Sequence, residues 1–173
     1  MSTPSQRRSV ADVLIEELLT SRRAPTDADI KEILQRLATA PLAKHNVRTT
    51  HRLRGAASGA SLGREAPADL VHLLKRISEG QWSPSTTLEQ YQEDLHAAAQ
   101  VPSSRLAIYS DWHGALAVAV ANTRDCVPDS RIGPRPEALL FVVYSAMSST
   151  ILTGYMASSL SVTRLGPDIR WLT

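Results

Sequence analysis

Two segments near the N-terminus combine a helical repeat of hydrophobic side chains with a capping pair in front of it. The first begins at Ser9, with Asp12 three residues later, and the second begins at Thr26, with Asp29 at the same spacing. A hydroxyl at the N-cap and a carboxylate at N3 satisfy the free backbone N–H groups that open a helix. The apolar positions behind these pairs recur every three or four residues: Val10, Val13, Leu14 and Leu18, then Ile30, Ile33, Leu34 and Leu37. We therefore predict a helical N-terminal segment over residues 1–40.

Two more helical repeats follow an irregular stretch. Residues 41–66 are rich in glycine and polar side chains without a sustained period, and we interpret them as a basic loop. A third helix is predicted over residues 67–78, because its proline suits a first helical turn and Gly80 suits the cap after the last turn. A fourth helix is predicted over residues 86–99, where Thr86 and Glu89 form a further capping pair.

The period of hydrophobic residues then changes from helical to alternating. Four short segments rich in β-branched and apolar residues predict strands: Arg105–Ser110, Ala115–Ala121, Ala138–Tyr144 and Thr150–Ala157. The tetrapeptide before Ala115 ends in Gly114, where a hairpin turn requires a positive φ. The tail, residues 169–172, is predicted to add an edge strand or to pack a tryptophan on the sheet. Residues 67–173 are therefore expected to form an α+β domain, in which N-terminal helices precede a four-stranded antiparallel meander.

The composition fits a single globular unit and excludes several classes of protein. The chain has 173 residues, of which 43% are hydrophobic and 21% charged, which is ordinary for a folded domain. A single cysteine, Cys126, allows no internal disulfide. No apolar run reaches the roughly 18 residues of a membrane span, and three carboxylates interrupt the position of a secretion signal. The sequence therefore predicts a soluble cytoplasmic protein that does not associate with membranes.

Motifs for cofactors and metals are missing from the sequence. It contains no glycine-rich phosphate loop ending in Lys-Ser/Thr, no dinucleotide-binding glycine fingerprint and no Gly-x-Ser-x-Gly elbow. The five histidines do not occur at metal-ligand spacings with acidic residues. We therefore expect the protein to use neither a cofactor nor a metal.

Positive charge is concentrated in the first half of the chain. Residues 1–80 carry 13 Lys/Arg against 9 Asp/Glu, whereas residues 81–173 carry 6 against 8. The densest part is residues 44–64, which contain no acid, with Glu65 just beyond their end, and several glycines and serines. Such a segment suits a phosphate chain, because each neutralised phosphate releases counterions; a solvated loop without a ligand is the alternative. The candidate RNA-binding residues are Arg48, His51, Arg52, Arg54 and Arg64.

The dipeptide Lys44-His45 is the first candidate for proton-transfer chemistry. An imidazole titrates near neutral pH and can accept or donate a proton, and an adjacent ammonium can stabilise charge on a phosphoryl oxygen. These two groups suffice for metal-free RNA cleavage, because the ribose 2′-hydroxyl supplies the nucleophile. His51 could serve equally well, and the sequence does not distinguish the two. The other histidines are expected in ordinary positions: His72 packed or half-exposed on its helix, His96 on the exposed side of its helix, and His113 in a turn.

A hydroxyl and an aromatic ring flank a glycine in the last clear strand. Thr153 and Tyr155 are two residues apart, so they share a face of the strand. A ring in this position can stack on a nucleotide base, whereas ordinary β-propensity also favours both residue types. Gly154 between them indicates a bulge or a close approach of another group.

These segments together resemble the colicin D-type ribonucleases, within the wider group of bacterial toxin nucleases that includes the RelE type. The shared features are a Lys-His pair before an amphipathic helix, short antiparallel strands, and a strand–turn–strand that ends in hydroxyl-Gly-aromatic. The family has Ser and Trp where this chain has Thr153 and Tyr155. The chain also departs from the compact family domain, because 108 residues separate His45 from Thr153.

The resemblance implies metal-independent cleavage of RNA, typically tRNA at its anticodon loop, and a protein partner that neutralises the toxin. His45 would be the general acid or base, Lys44 would stabilise the phosphorane-like charge, and Thr153 and Tyr155 would position the nucleotide. Two other functions are compatible with the same residues. One is a non-catalytic RNA-binding module, and the other is a protein-interaction domain of the immunity or regulatory kind.

Overall fold

The computed structural model describes residues 8–21, 23–48, 65–160 and 168–173. Its helices are α1 (Val10–Thr20), α2 (Asp27–Leu37), α3 (Ala68–Ser78), α4 (Leu88–Gln100) and the short α5 (Thr123–Cys126). Its strands are β1 (Asn46–Arg48), β2 (Glu65–Pro67), β3 (Arg105–Asp111), β4 (Gly114–Asn122), β5 (Leu139–Ser145), β6 (Thr150–Ala157) and β7 (Arg170–Trp171). None of the helices within these ranges has the length and apolar character needed to cross a membrane.

The first two helices begin where the capping pairs predict. The Ser9 hydroxyl accepts a hydrogen bond from the Asp12 N–H, and the Asp12 carboxylate accepts one from the Ser9 N–H. Thr26 and Asp29 repeat this arrangement at the start of α2. Each pair satisfies two backbone donors that the helix leaves free.

The predicted start of the fourth helix is wrong by one residue. The N-cap is Thr87, which pairs with Gln90, and not Thr86 with Glu89. The Thr86 N–H instead donates to the carbonyl of Ser83 and closes a turn before the helix. Both registers place a threonine three residues before a side chain that can cap, so the sequence pattern does not distinguish them.

The principal sheet has five antiparallel strands in the order β6-β5-β4-β3-β7, which confirms the predicted α+β class and the meander of four strands. The tail adds the predicted edge strand, since β7 pairs with β3 at Ala107 and Ile108. Gly114 has φ of 91° in the β3–β4 turn, as that turn requires. The short strands β1 and β2 form a separate antiparallel pair.

The sheet has two apolar faces. One face packs against the helices around a core that includes Ile15, Leu37 and Leu95, none of which is exposed to solvent. The other face carries a second cluster of buried side chains, including Val118 and Phe141. The central strands β4 and β5 are therefore buried on both sides, which explains their nearly continuous hydrophobic sequences.

The segment over residues 122–137 contains more structure than the expected polar loop. It holds α5 and a single 3₁₀ turn, Asp129–Arg131. The Arg131 guanidinium binds the buried Asp94 carboxylate of α4 at 2.5 Å, and Asp94 also accepts from the Trp82 indole at 3.0 Å. This connection is therefore attached to the helical layer.

Candidate functional site

Residues 41–43 run beside the first half of β6. Leu42 forms a parallel bridge with Ile151. The Ala43 N–H donates to the Ile151 carbonyl, and the Ile151 N–H donates to the Pro41 carbonyl, both at 2.9 Å. The backbone just before Lys44 is therefore hydrogen-bonded to the strand that carries Thr153 and Tyr155.

The next two residues reach the start of α3. The His45 carbonyl accepts a hydrogen bond of 2.9 Å from the N–H of Ala68, the first residue of that helix. Lys44 and His45 are both exposed. The N-terminus of a helix carries a partial positive charge, so this position favours an anionic ligand next to the imidazole.

Helix α3 lies along the rest of β6 and contributes Arg76, a residue that the sequence analysis missed. Its Nε donates to the Gly154 carbonyl at 2.9 Å, and its Nη2 donates to the Thr153 hydroxyl at 3.2 Å. The guanidinium also lies 5.5 Å from the centre of the Tyr155 ring. Eight residues of helix separate Ala68 from Arg76, about 12 Å along its axis. The predicted residues Lys44, His45, Thr153 and Tyr155 therefore lie along the β6 edge of the sheet together with Arg76. We call this set of residues the band.

The glycine in this band is required by packing. A Cβ at Gly154 would lie 2.1 Å from Cδ2 of Leu95, which is fully buried in α4. The Tyr91 hydroxyl donates to the Gly154 carbonyl at 2.8 Å and accepts from the Gly154 N–H at 3.0 Å. The side-chain amide of Gln81 pairs in the same way with the backbone of Met156. The Tyr91 and Gln81 side chains thus satisfy backbone N–H and C=O groups at this edge of β6. This agrees with the close approach of another group that Gly154 indicates in the sequence.

Thr153 and Tyr155 share the sheet face away from α4. They pair with Val143 and Phe141, which belong to the second apolar cluster. The Tyr155 ring stacks on that of Phe141, with 5.2 Å between centroids and 4° between planes. Because Arg76 lies over the same ring, a base that stacks on Tyr155 has to displace the guanidinium or bind beside it.

A cavity of about 840 Å³ opens beside Tyr155. Its charged lining consists of Lys75, Arg76, Glu79 and Glu137. Of the predicted residues, Tyr155 lines this cavity, whereas Lys44 and His45 lie at the exposed start of α3 and Thr153 contacts Arg76 without lining the cavity. The volume is in the range of pockets that bind small organic ligands.

His72 lies between these two parts of the band. It follows Ala68 by one turn on the same side of α3, and its side chain is directed toward the helix N-terminus. Burial, followed by the positive charges of Arg76, Lys75 and His45, lowers the pKa of His72 to about 4. Its Nδ1 is buried and makes no hydrogen bond within the described ranges. The ring is therefore neutral at pH 7.

The remaining predicted RNA-binding residues are not placed. Arg48 ends β1, but the structure describes only its backbone. His51, Arg52, Arg54 and Arg64 lie outside the described residues. Their proposed contacts with phosphates remain predictions.

The other described histidines, His96 and His113, each already contact another group. His96 was expected on the exposed side of its helix, which is wrong: its Nε2 lies 2.7 Å from the Ala40 carbonyl and the ring is partly buried. His113 occupies the predicted turn, where its Nδ1 lies 3.2 Å from the Asp111 carboxylate. Within the part of the chain that the structure describes, no group of His, Cys, Asp and Glu side chains could hold a metal ion.

Comparison of the chain with protein-family models, with curated proteins and with solved structures gave no match. The resemblance to colicin D-type ribonucleases therefore rests on the short motifs alone. His72 is packed and half-buried on its helix, as the sequence predicts. The missed residue Arg76 had one signal in the sequence: with His72 and Lys75 it forms a polar stripe at helical spacing opposite the apolar side of α3.

Proposed function

We propose that the protein is a metal-independent endoribonuclease whose site is the band along the edge of β6. The observation that carries this proposal is the attachment of residues 41–45 to two elements at once. The backbone before Lys44 pairs with β6 and the His45 carbonyl binds the start of α3, which supports a site shared by Lys44, His45 and the strand that carries Thr153 and Tyr155.

In the proposed reaction the RNA supplies the nucleophile. His45 removes the proton of a ribose 2′-hydroxyl, the 2′ oxygen bonds to phosphorus, and the bond to the 5′ oxygen breaks. The proton passes from His45 to that 5′ oxygen, which leaves a 2′,3′-cyclic phosphate and a 5′-hydroxyl. Lys44 stabilises the charge that develops on the phosphoryl oxygens. Arg76 positions the nucleotide together with Thr153 and Tyr155.

His45 is preferred to the other described histidines because of its surroundings. It is exposed next to β6, whereas His72 is largely buried and its pKa is far below neutrality. His96 and His113 are already bound to Ala40 and Asp111. His51 stays an alternative, since it lies outside the described ranges.

The test is to incubate the protein with total RNA in the presence of a chelator. We expect discrete fragments with cyclic phosphate ends, and a loss of rate of about 10²-fold or more in His45→Ala. His113→Ala is the matched control, because it removes an imidazole at another part of the surface, and it should cleave as the wild type does. Intact RNA, or equal rates for His45→Ala and wild type, would refute the proposal.

A second candidate is a non-catalytic RNA-binding module, favoured by the partners that Thr153 and Tyr155 already have in Arg76 and Phe141. Such a module would bind RNA with a steep dependence on salt concentration. It would leave the RNA intact at every protein concentration. Binding and cleavage measured on the same RNA distinguish the two functions.

A further inference from the structure

Arg76 lines the cavity beside Tyr155, and its contacts with β6 are firmer than its contact with Glu79. Arg76 is only 9% exposed, and its hydrogen bonds to Gly154 and Thr153 hold it against β6. Its Nη1 contacts the Glu79 carboxylate at 3.2 and 3.3 Å, which is long for a charged hydrogen bond. The Glu79 side chain is 37% exposed. The Glu79 contact can therefore be exchanged without loosening the strand.

The guanidinium gains capacity for another anion once the Glu79 carboxylate leaves it. It has five N–H donors; among the described residues Nε binds Gly154, one Nη2 donor binds Thr153, and Nη1 contacts both oxygens of Glu79. Departure of Glu79 leaves donors on both terminal nitrogens, which can bind a phosphate or carboxylate through two parallel bonds. Lys75 lines the same cavity and adds a second positive charge.

The two carboxylates of the cavity differ in one respect. Glu79 contacts Arg76, whereas the exposed Glu137 makes no side-chain hydrogen bond to any residue in the described ranges. Each carboxylate adds one negative charge to the cavity, but only Glu79 contacts the Arg76 guanidinium. The pair therefore separates direct competition for Arg76 from general electrostatic repulsion.

We propose that this cavity binds the phosphate group of a single nucleotide through Arg76 and Lys75, and that Glu79 is an internal competitor for the same guanidinium. A phosphate that enters replaces the Glu79 carboxylate, which turns outward to solvent. The choice of RNA as the source of the phosphate rests on the proposed function, while the anion site itself does not. The cavity volume of about 840 Å³ accommodates a nucleotide.

The experiment is a titration of the full chain with inorganic phosphate and with uridine 3′-monophosphate, followed by NMR, with uridine as the uncharged probe. Both anions should shift the Arg76 Nε–H resonance and uridine should not. Glu79→Gln should tighten binding of both anions by roughly threefold to tenfold, because the charged competitor in direct contact with the Arg76 guanidinium is removed. The matched control Glu137→Gln should change it by less than about twofold. Lys75→Gln should weaken binding.

Equal gains in Glu79→Gln and Glu137→Gln would overturn the inference, and so would an Arg76 resonance that does not respond to phosphate. Cleavage assays on the same samples separate this inference from the proposed function. Phosphate binding that tightens in Glu79→Gln without any RNA cleavage supports the anion site and refutes the nuclease. RNA cleavage without an effect of Glu79→Gln on phosphate affinity supports the nuclease and refutes the anion site.

Discussion

Replacing Tyr91 with phenylalanine removes a single oxygen atom from the junction between α4 and β6. That oxygen accepts from the Gly154 N–H and donates to the Gly154 carbonyl. The carbonyl keeps Arg76 as a partner, but the N–H loses the only hydrogen bond that the described residues give it. A buried donor left without a partner costs about 1–3 kcal/mol. The volume of the side chain hardly changes, so no cavity adds to this cost.

We expect Tyr91→Phe to lower the free energy of unfolding by about 2 kcal/mol, measured by urea denaturation. For a chain of this length, that loss corresponds to a fall in Tm of roughly 4–8 °C. Hydrogen exchange at the Gly154 amide should accelerate, because this amide is no longer protected by a hydrogen bond.

The matched control is Tyr109→Phe. Tyr109 is also buried, on the other face of the sheet, and its hydroxyl makes no hydrogen bond within the described part of the chain. We expect the loss of the Tyr109 hydroxyl to change the free energy of unfolding by less than about 0.5 kcal/mol. If both variants were destabilised equally, the cost would belong to tyrosine burial in general and our account of the β6 edge would be wrong.

Two further predictions concern Gly154 and the cap of α2. Gly154→Ala should destabilise the fold by about 1–3 kcal/mol, because its Cβ would collide with Leu95; the double variant with Leu95→Ala should lose less than the two single losses together in urea denaturation. The Arg23 guanidinium and the Thr26 cap hold the pKa of Asp29 at about 2. This depressed pKa means that the carboxylate stabilises the fold above its unfolded pKa of about 4 and loses that effect as the pH falls through 2. The urea midpoint of Asp29→Asn should therefore lie below that of the wild type at pH 7 and converge with it in strong acid, and a constant difference across this range would contradict the assignment.

Local signals explain the parts of the fold that the sequence predicts well. A capping pair such as Ser9 and Asp12 acts within one helical turn, so its residues are adjacent in the sequence. The alternation that predicts β6 is likewise local, and it correctly places Thr153 and Tyr155 on one face. The error at Thr86 has the same origin, because two overlapping capping patterns exist there.

The candidate site was harder to predict because its contacts are distant in sequence. Arg76 reaches Thr153 across 77 residues, and Tyr91 reaches Gly154 across 63. No periodicity indicates that side chains from α3 and α4 complete the edge of β6. The hydroxyl-Gly-aromatic pattern identified the strand, but its glycine is explained by Leu95 and its threonine already has a partner in Arg76.

The dependence of β6 on side chains from α3 and α4 has a consequence for self-association. An edge strand with free backbone groups is a template on which another chain can polymerise. Here Arg76, Gln81 and Tyr91 occupy those groups at Gly154 and Met156, so recruitment of a foreign strand first requires α3, α4 and the segment between them to move away from β6. A solution condition that releases these side chains should therefore cause the chain to aggregate through the strand that carries Thr153 and Tyr155.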